Sequence, residues 1–168
     1  ESAPELALTG EWSGLRWPLV DAAAVESAYG AFSVAGSLPY AFDVRAAASA
    51  PELPAVDFTA AGSVDREQVV LDRFDGQLMG GRLQGSGQLS WTGTQAWTAR
   101  LDGQRLDIAT VRPDLPGRVT FAGTVDGRGF TPTAPWTVRL ASLSGTVRGR
   151  ALTGRGEVAH RDGTYELR

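Results

Sequence analysis

The 168-residue chain has a formal net charge of −3, 21 glycines and no cysteine. Because nucleic-acid binding needs clustered positive charge, this balance argues against a nucleic-acid partner. The lack of cysteine excludes disulfides and thiolate metal sites. No apolar run approaches the roughly 20 residues that a membrane-spanning helix needs.

The N-terminal part of the chain gives few signals. Residues 1–5, ESAPE, have neither the basic start nor the apolar stretch of a signal peptide. From this start, and from the strand-like ending YELR, we expect the chain to be a fragment of a longer protein. Residues 20–28 form an alanine-rich stretch after Pro18, and they are the one plausible helical turn.

Alternation begins clearly at residue 30. Between residues 30 and 44 the even positions are large and apolar or glycine, and the odd positions are small or polar. Such alternation is typical of a strand with one buried face. It recurs in residues 83–91, 97–101, 119–125, 136–140, 152–158 and 165–167. The chain is therefore predicted to be all-β.

Glycine-containing pairs predict the turns between these strands. Asp-Gly tolerates the positive φ of two-residue hairpins. The pairs are Asp75-Gly76, Asp102-Gly103, Asp126-Gly127 and Asp162-Gly163, and Gly80-Gly81 is a fifth candidate. Residues 45–57, with three consecutive alanines and two prolines, predict a connection between a first β segment, 1–44, and a repeated β segment, 58–168, that continues the same sheet.

Two internal repeats follow. Residues 91–101 align without gaps with residues 130–140, at an offset of 39 residues, and share Trp-Thr-x-Arg-Leu. An apolar-x-Gly-x-Gly-x-apolar pattern occurs at 83–89 and again at 152–158. Repeats of this kind cover their apolar faces with their neighbours. They predict one long open sheet of antiparallel strands.

Few residues are suited to catalysis. His160 is the only histidine, and its His-Arg-Asp context resembles the start of a kinase catalytic loop, but Leu167 stands where that loop needs asparagine. The Gly-x-Gly pairs continue as strand and do not open a helix, so they do not predict a phosphate cradle. One histidine and no cysteine leave no convergent metal ligands. We predict a non-enzymatic protein with no cofactor, metal site or catalytic residue.

The five tryptophans allow two interpretations. They are either ordinary core anchors or part of an apolar surface that meets lipid or an unfolded strand. The sequence does not separate these interpretations.

Several segments resemble the TamB family, relatives of the AsmA-like proteins. They are LTGEWSGLRWPL (8–19), GQLMGGRLQG continuing to Trp91 (76–91), WTARL (97–101), PDLPG (113–117) and WTVRLASLSGTVRG continuing to Gly156 (136–156). The resemblance covers most of residues 8–168 and implies an internal segment of such a protein.

This resemblance implies an elongated sheet curled into a taco-like trough with a hydrophobic interior. It further implies a periplasmic location in a Gram-negative bacterium, with the full-length protein anchored in the inner membrane. The expected function is guidance of phospholipid between the inner and outer membranes, together with support of outer-membrane protein assembly. The expected partners are phospholipid acyl chains and an outer-membrane barrel of the TamA type.

The groove-lining residues predicted to bind lipid are the large side chains of the alternating face. A bulge would move this assignment to the other face. They are Phe32, Val34, Leu38, Tyr40, Phe42, Leu89, Trp91, Trp97, Leu101, Val119, Phe121, Trp136, Val138 and Leu140.

Two other functions stay open. A chaperone-like scaffold would pair its strand edge with incoming outer-membrane strands by β-augmentation. A carbohydrate-binding or adhesin domain would use the tryptophans as sugar platforms. Exposed strand edges and apolar surface also predict self-association of the fragment.

Overall fold

The computed structural model describes residues 4–17, 25–50, 53–129, 131, 133–161 and 163–168. Eleven strands form one antiparallel sheet in which the strand order is the chain order. The strands are β1 (Leu6–Trp17), β2 (Val25–Gly36), β3 (Tyr40–Ala50), β4 (Leu53–Val64), β5 (Gln68–Leu78), β6 (Gly81–Ser90), β7 (Ala96–Asp107), β8 (Gly117–Arg128), β9 (Trp136–Val147), β10 (Arg150–Arg161) and β11 (Thr164–Leu167). The prediction of an all-β, curled and open sheet is confirmed.

Alternation along every strand sorts the side chains onto two faces. Directly opposed residues of an antiparallel pair share a face. The register joins Phe32 to Val44, Val44 to Ala60 and Ala60 to Phe74 on one side. On the other side it joins Ser33 to Asp43 and Asp43 to Ala61. We call these sides the apolar face and the polar face.

β-Bulges bend the strands. Seven of the ten strand pairings contain a register shift. Asp72 is the extra residue of β5, since Leu71 pairs with Gly62 and Gly87 whereas Arg73 pairs with Ala61. A bulge bends its strand and increases the local twist, which explains why this sheet is curled.

The hairpin turns differ from those predicted by the Asp-Gly pairs. Three of the pairs, at 75–76, 102–103 and 126–127, lie inside β5, β7 and β8. Asp162 lies outside the described residues, and Gly163 stands in the turn between β10 and β11 with φ of 74°. The β5–β6 turn is Met79-Gly80, with φ of 52° and 65°, so only the first glycine of the predicted Gly80-Gly81 turn belongs to it.

Two further predictions differ from the structure. Of the proposed helical turn at 20–28, residues 25–28 belong to β2, and the rest lie outside the described residues. Of the proposed connection at 45–57, residues 45–50 and 53–57 belong to β3 and β4, and residues 51–52 lie outside the described residues. The small alanines there are strand residues, because Ala46 faces Phe58 and Ala48 faces Val56 across the pair.

The sheet is a single layer. Strands contact their neighbours in sequence, and the only helix in the described part of the chain is a 3₁₀ turn, Ile108–Thr110, between β7 and β8. Only Ala46, Leu106 and Ala159 are buried apolar residues, and no large side chain of the described residues is fully buried. No described helix has the length and apolar character to cross a bilayer.

Candidate functional site

The apolar face is continuous from β1 to β11. Its register runs from Leu8 and Val34 through Phe42, and it ends at Val158 opposite Leu167. Twelve of the fourteen predicted groove residues lie on this face within strands. They are Phe32, Val34, Tyr40, Phe42, Leu89, Trp97, Leu101, Val119, Phe121, Trp136, Val138 and Leu140.

The other two predicted residues lie outside the strands. Leu38 is half-buried in the bend between β2 and β3, and Trp91 follows the last residue of β6. Trp91 is 38 % exposed, and its indole N–H donates to the Arg66 carbonyl at 2.8 Å. Both residues border the apolar face at the same end of the sheet.

The sequence prediction missed a central aromatic pair. Phe58 and Phe74 stack with ring centroids 5.4 Å apart. Phe58 directly follows the segment interpreted as a connection, although residues 58–64 alternate as Phe-x-Ala-x-Gly-x-Val. Phe74 was hidden by the bulge at Asp72, which moves the apolar positions of β5 from odd to even numbers.

Glycines make room for the aromatic rings of this face. Opposed pairs join Gly10 to Phe32, Gly30 to Trp12, Gly103 to Phe121 and Gly127 to Trp97. A Cβ at Gly127 would lie 2.3 Å from the Trp97 ring, and at Gly30 it would lie closer still to Trp12. Each ring therefore lies flat over the opposing backbone and shields it, as aromatic residues do beside strand glycines.

One end of the sheet carries a row of amphipathic side chains, which we call the aromatic rim. It lies at the turns that follow β2, β4, β6, β8 and β10. The rim residues are Tyr40, Trp91, Trp97, Trp136, His160 and Tyr165.

Polar atoms of the aromatic rim bond to backbone carbonyls. The Tyr40 hydroxyl donates to Pro4 at 3.2 Å, and the Trp97 indole donates to Gly129 at 3.1 Å. These bonds fix the rings at the boundary between apolar surface and water, where amphipathic aromatic residues are favoured. At the opposite ends of the strands the apolar face is lined by the aliphatic residues Val56, Leu78, Leu106, Val119 and Val147.

His160 is part of this rim. It is 5 % exposed and stacks on Trp136, with ring centroids 5.7 Å apart, and contacts Tyr165 at 4.9 Å. Its Nδ1 lies 3.2 Å from the Ala134 carbonyl. Because a carbonyl only accepts, this nitrogen carries the proton. The ring joins β9, β10 and β11 to the loop after β8.

Cross-strand ion pairs characterise the polar face. Asp75 pairs with Arg82, and this contact lowers the pKa of the Asp75 carboxyl and raises the pKa of the Arg82 guanidinium. Arg139 bridges Asp126 at 2.5 Å and Glu157 at 3.0 Å, which links β8, β9 and β10. Within the described residues, no group of His, Asp or Glu side chains has the geometry to hold a metal ion.

Both faces have shallow depressions. On the apolar face a depression of about 350 Å³ is lined by Val69, Leu71, Leu89, Trp97 and Ala99. Larger depressions of about 580 and 590 Å³ on the polar face are lined mainly by hydroxyl, amide and charged side chains. Chemistry distinguishes the two faces more clearly than depth does.

The fold and its faces define the class of protein: a single curled β-sheet, one side apolar along its whole length and the other polar. The family model described as TamB, N-terminal domain, matches residues 1–168, and the chain belongs to the TamB family of bacterial envelope proteins. The predicted resemblance is confirmed. The chain has no significant match among curated proteins or among solved structures.

Proposed function

We propose that this chain guides phospholipid along its apolar face in the periplasm between the inner and outer membranes, and that it does so without catalysis. The observation that carries the proposal is the uncovered apolar face of an eleven-stranded sheet. Twelve-residue strands are about 40 Å long, and eleven strands side by side are about 50 Å wide. That area far exceeds the few hundred Å² of apolar patch that a soluble monomer exposes, so the face fits a ligand.

The chemistry of the face suits an acyl chain. Each methylene group removed from water contributes about 0.8 kcal/mol. Because the large side chains of neighbouring strands adjoin, an acyl chain moving from β1 towards β11 exchanges one apolar contact for the next. The aromatic rim supplies a boundary for headgroups, while the aliphatic side chains at the other ends of the strands suit the tails.

In the full-length protein, we propose that the trough is anchored at the inner membrane and works with an outer-membrane barrel of the TamA type. This arrangement would also support assembly of outer-membrane proteins. Membership of the TamB family supports a partner of the TamA type in general terms. The shape of the sheet supports passage of a ligand along its length.

Photocrosslinking in cells tests the proposal. The crosslinker replaces Trp97 or Val138 on the apolar face, and Thr98 or Thr124, both exposed on the polar face, as controls. We expect phospholipid adducts at the first pair and few at the controls.

Two outcomes would contradict lipid guidance. Equal lipid capture on both faces would indicate unspecific membrane contact. A protein adduct at Trp97 and Val138 without lipid would replace lipid guidance with contact to an incoming outer-membrane strand.

A further inference from the structure

A cavity of about 360 Å³ lies on the polar face at the aromatic-rim ends of β8, β9 and β10. Its side chains include three arginines, one carboxylate and one hydroxyl: Arg128, Arg139, Arg161, Asp126 and Thr137. The charged and hydroxyl side chains belong to the polar face, and Trp136 of the aromatic rim borders the cavity.

Charge in this cavity is positive although the chain as a whole is negative. Arg139 is bound to Asp126 and to Glu157, so one guanidinium serves both nearby carboxylates. Arg128 and Arg161 form no ion pair with any described residue. Among the described residues, three arginines against two carboxylates leave a net charge of +1 around the cavity.

Thr137 supplies the hydroxyl group of the cavity. It is only 6 % exposed, and it lies opposite Asp126 on β8 and opposite Ala159 on β10. It lines the cavity, and among the described residues no polar side-chain atom is both buried and without a hydrogen-bond partner. The Thr137 hydroxyl, which bonds to no described side chain, is therefore reached by the solvent of the cavity, where a ligand oxygen can replace water.

We propose that this cavity binds a phosphate group, either as free phosphate or as the headgroup of a phospholipid. Guanidinium groups match phosphate oxygens with two parallel N–H bonds, and such bonds are among the strongest in proteins. Arg128 and Arg161 supply these donors from neighbouring sides of the cavity, and the Thr137 hydroxyl donates to a third oxygen. Arg139 holds Asp126 and so reduces its repulsion of the anion.

Titration of the chain with inorganic phosphate tests the site, with backbone NMR shifts as the readout. We expect the largest shifts at residues 126–128, 137–139 and 159–161. The double variant Arg128→Gln, Arg161→Gln should bind phosphate at least about tenfold more weakly than the parent chain, because two charge-assisted contacts are lost. Arg118→Gln is the matched control, since Arg118 is exposed on the same strand and face but at the other end; it should bind as the parent does.

Vesicles separate the two sources of the phosphate group. Binding to phosphatidylglycerol vesicles that weakens in the double variant, and that only a large excess of inorganic phosphate displaces, assigns a headgroup. Displacement by inorganic phosphate at matched concentration assigns the free anion. Thr137→Val, which keeps the shape of the side chain, should weaken binding without altering the tryptophan fluorescence of the folded chain.

The phosphate site and lipid guidance are refuted by different results. Absence of binding to either probe, or equal weakening in Arg118→Gln and the double variant, overturns the phosphate site. Photocrosslinking from position 97 in the double variant tests lipid guidance by the apolar face separately, because Trp97 lies on that face and the two arginines do not.

Discussion

Glycine and aromatic residues act as pairs in this sheet. Trp97 lies over Gly127, and its indole N–H is bonded to the Gly129 carbonyl, so the ring has little freedom to move away. Glycine within a strand usually costs stability because it packs no side chain. Here the opposing ring occupies the vacant space, and the pair as a unit covers the backbone.

Gly127→Ala should therefore destabilise the chain. A Cβ at this position meets the Trp97 ring at 2.3 Å and the Pro135 carbonyl oxygen at 3.1 Å. We expect a loss of about 1–3 kcal/mol, typical of overpacking, measured as a lower midpoint of urea unfolding.

Gly154→Ala is the matched control, because the nearest atom to its Cβ is 4.0 Å away. Removing a glycine from a strand there should be neutral or should stabilise by up to about 1 kcal/mol. A Gly127 variant as stable as the Gly154 variant would contradict the pairing.

The same pairs explain why three of the four Asp-Gly pairs lie inside strands and not in turns. An Asp-Gly pair satisfies a tight turn, but it equally satisfies a strand whose aspartate faces water and whose glycine lies under a ring. Asp126-Gly127 is of the second kind, as Asp126 binds Arg139 and Gly127 faces Trp97. An Asp-Gly pair in a turn differs from one inside a strand only in the residue that lies opposite the glycine. The register of the strands decides which residue that is.

At the scale of the strand, alternation was a reliable guide wherever the strand is regular. The alternation of residues 30–44 survives the bend between β2 and β3, because the even residues remain on the apolar face in both strands. Bulges break the rule. The extra residue Asp72 places Phe74 on the apolar face, where Leu71 also lies. No local sequence signal marks Asp72 as extra.

Deletion of Asp72 should be tolerated. It is extra with respect to both neighbouring strands, so its removal leaves Leu71 and Phe74 on the apolar face in a regular strand. We expect a folded chain whose urea midpoint stays near that of the parent.

Deletion of Ser86 from the regular strand β6 is the control. It forces either Leu83 or Leu89 onto the polar face. Each large apolar side chain that is moved into water costs about 1.5–3 kcal/mol. Equal stability of the two deletions would show that Asp72 does not act as a bulge.

At the scale of the whole molecule, the described strands of the sheet share no common core. Each strand is stabilised by the strands before and after it in sequence, and the largest side chains stay partly exposed. Stability is then close to a sum of nearest-neighbour terms, as in repeat proteins. The sequence repeats predicted this architecture, because each unit is too small to cover its own apolar face.

Hydrogen exchange should follow position in the sheet. Amides of the central strands, β5 to β7, should exchange most slowly, and those of β1 and β11 fastest, because an outer strand opens by losing one neighbour. Mass spectrometry of peptides from each strand measures this gradient. Uniform protection from β1 to β11 would instead indicate a single cooperative unit.

Strand order has a mechanical consequence. Antiparallel hydrogen bonds run perpendicular to the strands, so in this sheet they all lie along the direction that joins β1 to β11, with donors in both senses. A pull between the two ends loads the pairs in series, and the weakest pair separates first. A hairpin of two twelve-residue strands then releases roughly 80 Å of chain while the other pairs hold. The trough therefore yields to tension in steps, one hairpin at a time.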